Sequence, residues 1–237
     1  SCDENVNDYG SERIHGLSPR RWRTYVNTGK FIVFEGVDGS GKSSQAVNVA
    51  QWLEQRGCRV VCCHDPGSTP LGDTVREVLL HRKELRLDPE AEMLLYMAAR
   101  AQLVREIIQP ALLEGNWVIS DRFLMSNIVY QGYAGGLDID TVRKVGEIAT
   151  CNIKPDLTLI LDIDIDTASA RMDRPLDRLE SRGNPYREKV RNGYHSESHS
   201  QNTVLIDATA DVAEVRSQII TTVQSFCADS LNCSLDD

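Results

Sequence analysis

The 237-residue sequence predicts an α/β fold, in which helices cover both faces of a parallel β-sheet. The first observation is that short apolar segments typical of strands alternate with segments of helical period, as they do when crossover helices join parallel strands. The second is the pattern G-x-x-x-x-G-K-S from Gly36 to Ser43, which lies between one such strand and one such helix. This pattern in this position predicts a P-loop NTPase fold, a three-layer α/β/α arrangement with a five-stranded parallel sheet and a mobile lid.

Five segments have the length and apolar character of buried parallel strands. We expect strands at residues 31–35, 59–63, 117–120, 157–162 and 203–206. Helices are expected at residues 43–55, 71–80, 89–113, 123–132, 139–150, 167–172 and 212–226. Residues 196–198 are expected to form a loop. Because ligands bind at the carboxyl ends of the strands in open α/β sheets, we expect the functional residues to lie there.

Length and patterning indicate one folded domain, residues 30–227, between a disordered polar leader, 1–29, and a polar tail, 228–237. The 35 acidic and 26 basic residues give a net charge of −9, which argues against nucleic acid as a partner. No run of 18 apolar residues is present, which argues against a membrane. Seven cysteines, an odd number, partly in apolar runs, indicate reduced thiols and a cytoplasmic location.

The segment that follows the first strand is the predicted ATP-binding loop. It consists of Gly36, Val37, Asp38, Gly39, Ser40, Gly41, Lys42, Ser43 and Ser44. Glycines let the loop turn its backbone N–H groups inward, and the N-terminus of the next helix adds positive potential where phosphate oxygens lie. Lys42 is expected to contact the β- and γ-phosphates, and the Ser43 hydroxyl to ligate Mg²⁺.

Two charged residues end the third predicted strand. Asp121 resembles the acidic residue that ends a Walker-B strand, so we expect it to hold Mg²⁺ together with Ser43. Arg122 is placed to clamp a phosphate group bidentately. The alternative interpretation is a helix N-cap aspartate beside a surface arginine.

A phosphate-binding loop does not by itself distinguish a GTPase, an ATPase and a kinase. The guanine-reading sequence N-K-x-D has only an approximate counterpart at residues 152–156, with the wrong spacing, and coupling signatures of motor or transporter ATPases are missing from the sequence. The chain has instead a late arginine cluster, which we expect to form a lid that offsets charge on the transferred group. Its members are Arg171, Arg174, Arg178 and Arg182. A solvated charged helix is the alternative.

From Lys30 to Phe226 the chain resembles the thymidylate kinases of the bacterial type. Seven segments match in family order and spacing: FEGVDGSGKSS, DPGSTPLGDTVREVLL, EAEMLLYMAARAQLV, IIQPALLEGNWVISDRF, SNIVYQG, KPDLTLILDID and LDRLE. The resemblance implies Mg²⁺-dependent transfer of the ATP γ-phosphoryl group to dTMP, giving dTDP and ADP for dTTP synthesis, by a homodimer.

The resemblance also implies an acceptor site. Tyr96 falls where the family has an aromatic ring that stacks on thymine, Asn127 where a polar residue bonds thymine, and Tyr130 where a tyrosine lies under the deoxyribose and crowds a 2′-hydroxyl. The implied substrate-binding residues are Asp38, Asp65, Tyr96, Arg100, Arg122, Asn127 and Tyr130. The implied catalytic residues are Lys42, Asp38, Arg122, Arg171, Arg174 and Arg178.

Three features depart from the family pattern. His64 stands where most bacterial relatives have arginine, so a positive charge there depends on protonation. Arg174 aligns only with a one-residue shift. The loop has no arginine at residues 38–40, unlike some members, so the cationic help is expected from residues 171–178. Two other functions stay open: a kinase of the same fold for deoxynucleosides, UMP or CMP, and a nucleotide-dependent binding module without catalysis.

Overall fold

The computed structural model describes residues 29–173 and 177–230, and it contains the predicted parallel sheet. The strands are β1 (Phe31–Gly36), β2 (Val60–His64), β3 (Trp117–Asp121), β4 (Leu157–Asp162) and β5 (Thr203–Asp207). They pair in the order β2-β3-β1-β4-β5, and every pair is parallel. All five strands lie within one residue of their predicted bounds, so the predicted sheet is confirmed.

Helices follow the strands in alternation. They are α1 (Lys42–Glu54), α2 (Pro70–Leu80), α3 (Pro89–Leu103), α4 (Gln109–Leu113), α5 (Leu124–Asn127), α6 (Ile139–Ala149), α7 (Ile165–Ala170), α8 (Asn184–Glu197) and α9 (Val212–Ser230). Two π-helical segments, Val104–Ile108 and Ile128–Ala134, continue α3 and α5, and a short 3₁₀ helix covers Glu180–Arg182. Among the described residues, none of these helices is long and apolar enough to cross a membrane.

The central strand β1 shows why the fold has three layers. Successive side chains of a strand point to opposite faces. Ile32 and Phe34 pack in a cluster with Val49 of α1 and Ile219 of α9. Phe31 and Val33, on the opposite face, pack in a second cluster with residues of α3 and of the π-helical segment that follows it. Both faces of β1 are therefore covered by helices, which confirms the three-layer prediction.

Three predictions of secondary structure need correction. The helix expected at residues 123–132 is α-helical only at Leu124–Asn127 and continues as the π-helical segment Ile128–Ala134. The helix expected at residues 89–113 is interrupted by the π-helical segment Val104–Ile108, directly before Pro110, whose ring and missing N–H disrupt a regular α-helix. The expected loop at residues 196–198 is wrong, because α8 runs to Glu197. The apolar face of α8 consists only of Tyr186, Val190 and Tyr194 among charged residues, too sparse for a clear helical pattern.

Some predictions fall outside the described residues. These are most of the leader, most of the tail, and Arg174 in the expected lid. The domain boundaries and the mobility of the lid stay predictions.

Because β4 is buried and β5 is an edge strand, substitutions in the two strands should differ in their effect on the free energy of unfolding. Leu159 of β4 is fully buried, whereas Leu205, on the adjacent edge strand β5, is 39% exposed. We expect Leu159→Ala to lower the free energy of unfolding by about 2–5 kcal/mol, because it leaves a cavity in the core. For Leu205→Ala we expect a loss of about 1 kcal/mol or less. Urea denaturation of both variants measures the difference, and equal losses would contradict this account of the core.

Candidate active site

The predicted loop lies between β1 and the N-terminus of α1. Gly36, Gly39 and Gly41 have φ values of 132°, 87° and 92°, which glycine adopts without steric cost. A Cβ atom on Gly39 would overlap the carbonyl oxygen of Ala168, so the loop packs tightly against α7. The backbone turn thus places the N-terminus of α1 against the space above the loop, where it favours an anion.

Two cavities open at the carboxyl edge of the sheet. The larger, about 1180 Å³, lies over the loop and is called the loop cavity; it is lined by residues 38–47, the end of β2, Asp121, Arg171 and residues 210–212. The smaller, about 460 Å³, is called the side cavity and lies among α2, α3 and the segment after β3. Four residues line both cavities: Asp38, Asp65, Arg76 and Arg122. These residues form a shared wall.

Lys42 is buried at the base of the loop cavity. Its Nζ atom donates a hydrogen bond to the carbonyl oxygen of Val37 at 2.8 Å. Burial and, to a smaller extent, the positive charge of Arg122 lower the pKa of Lys42 to about 8, against the opposing effect of Asp38 and Asp121. An anionic ligand in the cavity would offset this cost of burying an ammonium group.

The two predicted metal-binding residues lie in contact. The Ser43 hydroxyl donates a hydrogen bond to Oδ2 of Asp121, across the space between α1 and β3. A hydroxyl and a carboxylate are oxygen ligands of the kind that Mg²⁺ prefers. The residues present therefore fit the predicted ion.

A second group of carboxylates lies at the side cavity, which Asp38 and Asp177 line. Oxygen atoms of Asp38, Asp177 and Glu180 lie within 4.8 Å of one another. Burial raises the pKa of Asp177, and the negative charges of Glu180 and Asp38 raise it further. A cation between these three groups would relieve that repulsion. The sequence analysis did not identify Asp177 and Glu180 as possible ligands, although their spacing of three along the chain was a signal.

Arg122 is the centre of the shared wall. Its Nη2 atom donates to Oδ1 of Asp38 at 2.7 Å and to the Tyr130 hydroxyl at 3.2 Å. Its Nη1 atom donates to Ser126 Oγ at 3.1 Å and to the Tyr194 hydroxyl at 2.9 Å. The backbone of Arg122 has a φ of 72°, a left-handed conformation that is uncommon for arginine. The chain therefore turns sharply after β3 to direct this guanidinium between the cavities.

Glu35 is a site residue that the sequence analysis missed. It is fully buried at the end of β1, where it accepts hydrogen bonds from Phe123 N at 2.9 Å, Ser126 Oγ at 2.6 Å and the Tyr194 hydroxyl at 2.9 Å. Burial raises the pKa of this carboxyl, which Arg122 and the hydrogen bonds oppose. Glu35 thus fixes two of the partners that hold Arg122. The signal was a glutamate in the apolar strand FIVFEG, since charged residues are rarely fully buried.

The side cavity is lined by every substrate-binding residue that the family resemblance implied: Asp38, Asp65, Tyr96, Arg100, Arg122, Asn127 and Tyr130. Arg100 is almost fully buried; its Nε donates to Oδ2 of Asp65 at 2.5 Å and its Nη2 to the carbonyl oxygen of Phe123 at 3.2 Å. Its Nη1 contacts only the sulfur of Met97 among the described hydrogen bonds. Because a thioether is a weak acceptor, Nη1 keeps the capacity to donate to a ligand.

Asn127 lines the same cavity and carries a buried acceptor. Its Nδ2 donates to Oε1 of Gln131 at 2.9 Å. Its Oδ1 is buried and finds no hydrogen-bond partner in the part of the chain that the structure describes. A buried carbonyl oxygen without a partner is costly, so a ligand with an N–H group would satisfy it.

The expected lid arginines differ in their location. Arg171 lines the loop cavity, and its guanidinium donates to the carbonyl oxygens of Ala208, Thr209 and Ala210. Arg178 lines neither cavity, although its neighbours Asp177 and Leu179 line the side cavity, and it donates to Oε2 of Glu92 at 2.8 Å. The structure therefore brings Arg171 to the loop but not Arg178.

His64 lines the loop cavity rather than the side cavity. Its Nδ1 lies 3.0 Å from Ser68 Oγ, within its own turn. Burial lowers the pKa of His64, and Arg76 lowers it further, although Asp73 opposes this. The imidazole at this position is therefore mainly neutral near pH 7.

The buried ammonium group predicts a pH-dependent stability. The pKa of Lys42 falls from 10.5 to about 8 on folding, so between these values the unfolded chain binds more protons than the folded one. The unfolding free energy of the wild type should therefore rise relative to that of Lys42→Met as the pH is raised through this window. Urea denaturation of both proteins at several pH values measures the difference. A difference that does not change with pH would contradict the burial of the charge.

The family model of thymidylate kinase matches residues 34–219 of this chain. Among similar proteins, the thymidylate kinase of Synechococcus sp. (strain CC9605) is 39% identical over 208 residues, which cover 85% of this chain and 100% of the relative. The thymidylate kinase of Caldanaerobacter subterraneus subsp. tengcongensis is 42% identical over 201 residues, covering 84% of this chain and 96% of the relative.

The fold is also similar to a solved structure. The crystal structure of thymidylate kinase from Ehrlichia chaffeensis superimposes with a TM-score of 0.67 at 29% identity, and the match covers 83% of this chain and 99% of that one. The region that the family model matches, residues 34–219, spans the loop, both cavities and the shared wall.

Proposed function

This chain belongs to the thymidylate kinase family, which phosphorylates dTMP to dTDP using ATP, and we propose that it performs this transfer across the shared wall of its two cavities. The observation that carries the proposal is that Arg122 and Asp38 line both cavities and contact each other at 2.7 Å. A donor in one cavity and an acceptor in the other would meet at these two residues.

The loop cavity is the proposed ATP site. Residues 36–44 would hold the phosphates with backbone N–H groups and the positive end of α1. Lys42 would contact the β- and γ-phosphates once it exchanges its bond to Val37 for one to ATP. Ser43 and Asp121 would hold Mg²⁺, which supplies a Lewis-acid contact to phosphate oxygens when it is bound.

The side cavity is the proposed dTMP site, and its polar groups suit a particular base edge. Arg100 offers a donor, and Asn127 offers an acceptor. A carbonyl next to a ring N–H, as in thymine and uracil, has the complementary pattern. Cytosine has an amino group and an unprotonated ring nitrogen at these positions. It therefore offers no acceptor to Arg100 and no donor to Asn127. Tyr96 would stack on the base, and Tyr130 would lie under the sugar, with its hydroxyl 3.2 Å from Asp38.

The protein's part in the reaction is to position the two substrates and to neutralise charge on the transferred phosphoryl group. Phosphoryl transfer needs acceptor and donor held in line and charge offset on the oxygens, with little covalent chemistry by the protein. Lys42 and Arg171 approach from the loop cavity, and Arg122 from the shared wall. Asp38 would orient Arg122 and the sugar of the acceptor. Arg174 and Arg178 complete the proposed catalytic set, and Arg178 must first leave Glu92 to take part.

A homodimer and a cytoplasmic location are also proposed. Leu94 on α3 is 53% exposed and Ile148 on α6 is 79% exposed, and the two helices pack together. Exposed apolar side chains on adjoining helices suit burial against a second copy, which sedimentation velocity would detect. None of the cysteines in the described residues forms a disulfide bond, as expected in a reducing compartment.

An acceptor comparison tests the proposed function. We expect ADP release in a coupled assay with dTMP, less with dUMP, and little with UMP, CMP or thymidine. Lys42→Ala should lose rate by orders of magnitude while remaining folded, and Lys144→Ala, a change of an exposed lysine on α6, should not. Turnover confined to ribonucleotides or thymidine would overturn the assignment, and no turnover with any acceptor would favour a binding module.

A further inference from the structure

A series of buried polar side chains begins at Glu92 of α3, outside the side cavity, and continues through Gln131 to Asn127, which both line that cavity. This side chain is about 1% exposed. Its Oε2 accepts hydrogen bonds from Arg178 at 2.8 Å and from Arg182 at 2.6 Å. Its Oε1 accepts one from Nε2 of Gln131 at 3.0 Å. Glu92 lines neither cavity, so it does not contact either substrate in the proposed function.

The chemistry of these groups fixes the direction of every hydrogen bond in the series. A carboxylate between two guanidinium groups only accepts, so Gln131 must turn its amino group toward Glu92. The Gln131 carbonyl oxygen then faces Asn127, which must turn its own amino group toward Gln131. The Asn127 oxygen is then left without a partner among the described residues, in a side chain that lines the side cavity. The two ends of an amide are nearly equal in size, so hydrogen bonding rather than shape decides its orientation.

From this connection we infer that Glu92 is a positioning residue that sets the base selectivity of the kinase by fixing the orientation of the Asn127 amide. The inference rests on the proposed function, in which Asn127 meets the base. With its oxygen toward the cavity, Asn127 accepts from a ring N–H and leaves a base with an unprotonated ring nitrogen unpaired. Sites built to bond one pattern reject the other strongly, because buried polar groups are left without partners.

The same series connects selectivity to the expected lid. Arg178 and Arg182 belong to the arginine cluster that the sequence assigns to the lid, and both contact the Glu92 oxygen opposite to the one that holds Gln131. Contact with these arginines therefore keeps Glu92 an acceptor and the Asn127 oxygen in the cavity. The Glu92 carboxylate therefore contacts both the expected lid segment and the side chain that orients Asn127.

The test is Glu92→Gln. This substitution keeps the size of the side chain and should reverse the direction of the hydrogen bonds from residue 92 through Gln131 to Asn127. A glutamine at position 92 would turn its oxygen toward the arginines and its amino group toward Gln131. Gln131 and Asn127 would then both flip, and the Asn127 amino group would face the cavity. We expect the ratio of kcat/KM for dTMP to that for dCMP to fall about tenfold or more, with kcat/KM for dCMP rising. Arg100 still favours a carbonyl, so dTMP need not become the worse substrate.

Glu90→Gln is the matched control, because Glu90 lies in the same first turn of α3 and is exposed. It removes the same charge and should leave the ratio unchanged. A second variant, Gln131→Met, breaks the series of hydrogen bonds at its middle and frees the Asn127 amide to turn. Because Gln131 itself lines the side cavity, a rise in kcat/KM for dCMP, and not only a loss for dTMP, reports the turn of Asn127. The variant should lower the ratio mainly by raising KM for dTMP, with kcat less affected, because base contacts are made equally in the ground state and the transition state.

The outcomes separate the two proposals. A wild type that does not prefer dTMP to dCMP overturns the proposed function and this inference together. A selective wild type with unchanged ratios in folded Glu92→Gln and Gln131→Met overturns the inference alone. Circular dichroism and urea denaturation establish folding. If Glu92→Gln does not fold, kcat/KM of Gln131→Met for dCMP decides, because a rise supports the inference and no rise overturns it. A purely structural role of Glu92 would lower activity toward both nucleotides equally, which also overturns the inference.

Discussion

The ion pair between Arg122 and Asp38 is the interaction on which the site depends. It joins the loop after β1 to the sharp turn after β3, and the remaining donors of Arg122 reach Tyr130 and Tyr194, on two further elements. Four parts of the chain therefore meet at one guanidinium. Burial alone would lower the pKa of Arg122, but Asp38 and the tyrosine hydroxyls raise it, so the group remains charged. A fixed charge at this point is what a transfer between two phosphates requires.

Other buried charges in the site are also held by charged or hydrogen-bonding partners. Glu35, Asp65 and Glu92 are each almost fully buried, and each is bonded to an arginine or to several donors. Removing one member would leave its partner charged and unpaired, which is strongly destabilising. The buried carboxylates and their partners need not make the folded state more stable than apolar side chains at the same positions would. Their effect is to hold each donor and acceptor of the two cavities in one orientation, so that little reorganisation is needed when substrates bind.

The sequence predicted the parts of the molecule that local patterns determine. All five strands and the loop from Gly36 to Ser44 follow from short apolar runs and from glycine spacing. It did not predict α8, whose apolar face has only three residues, and so Tyr194 was missed as a partner of Arg122. Glu92 and Gln131 were missed because their role arises from contacts across 39 residues of sequence, which periodicity does not report. Arg178 was predicted as a lid residue from its charge, but its contact with Glu92 depends on packing.

The most direct test of the account is the affinity of the chain for dTMP with Arg122 replaced by lysine, measured by isothermal titration calorimetry. Lysine keeps the charge but cannot contact Asp38, Ser126, Tyr130 and Tyr194 together with a phosphate. The account predicts at least about a tenfold loss of affinity, while Arg143→Lys, a change on α6 outside both cavities, binds as the wild type does. Equal affinity in folded Arg122→Lys and in the wild type would contradict the claim that both substrates are organised around this residue.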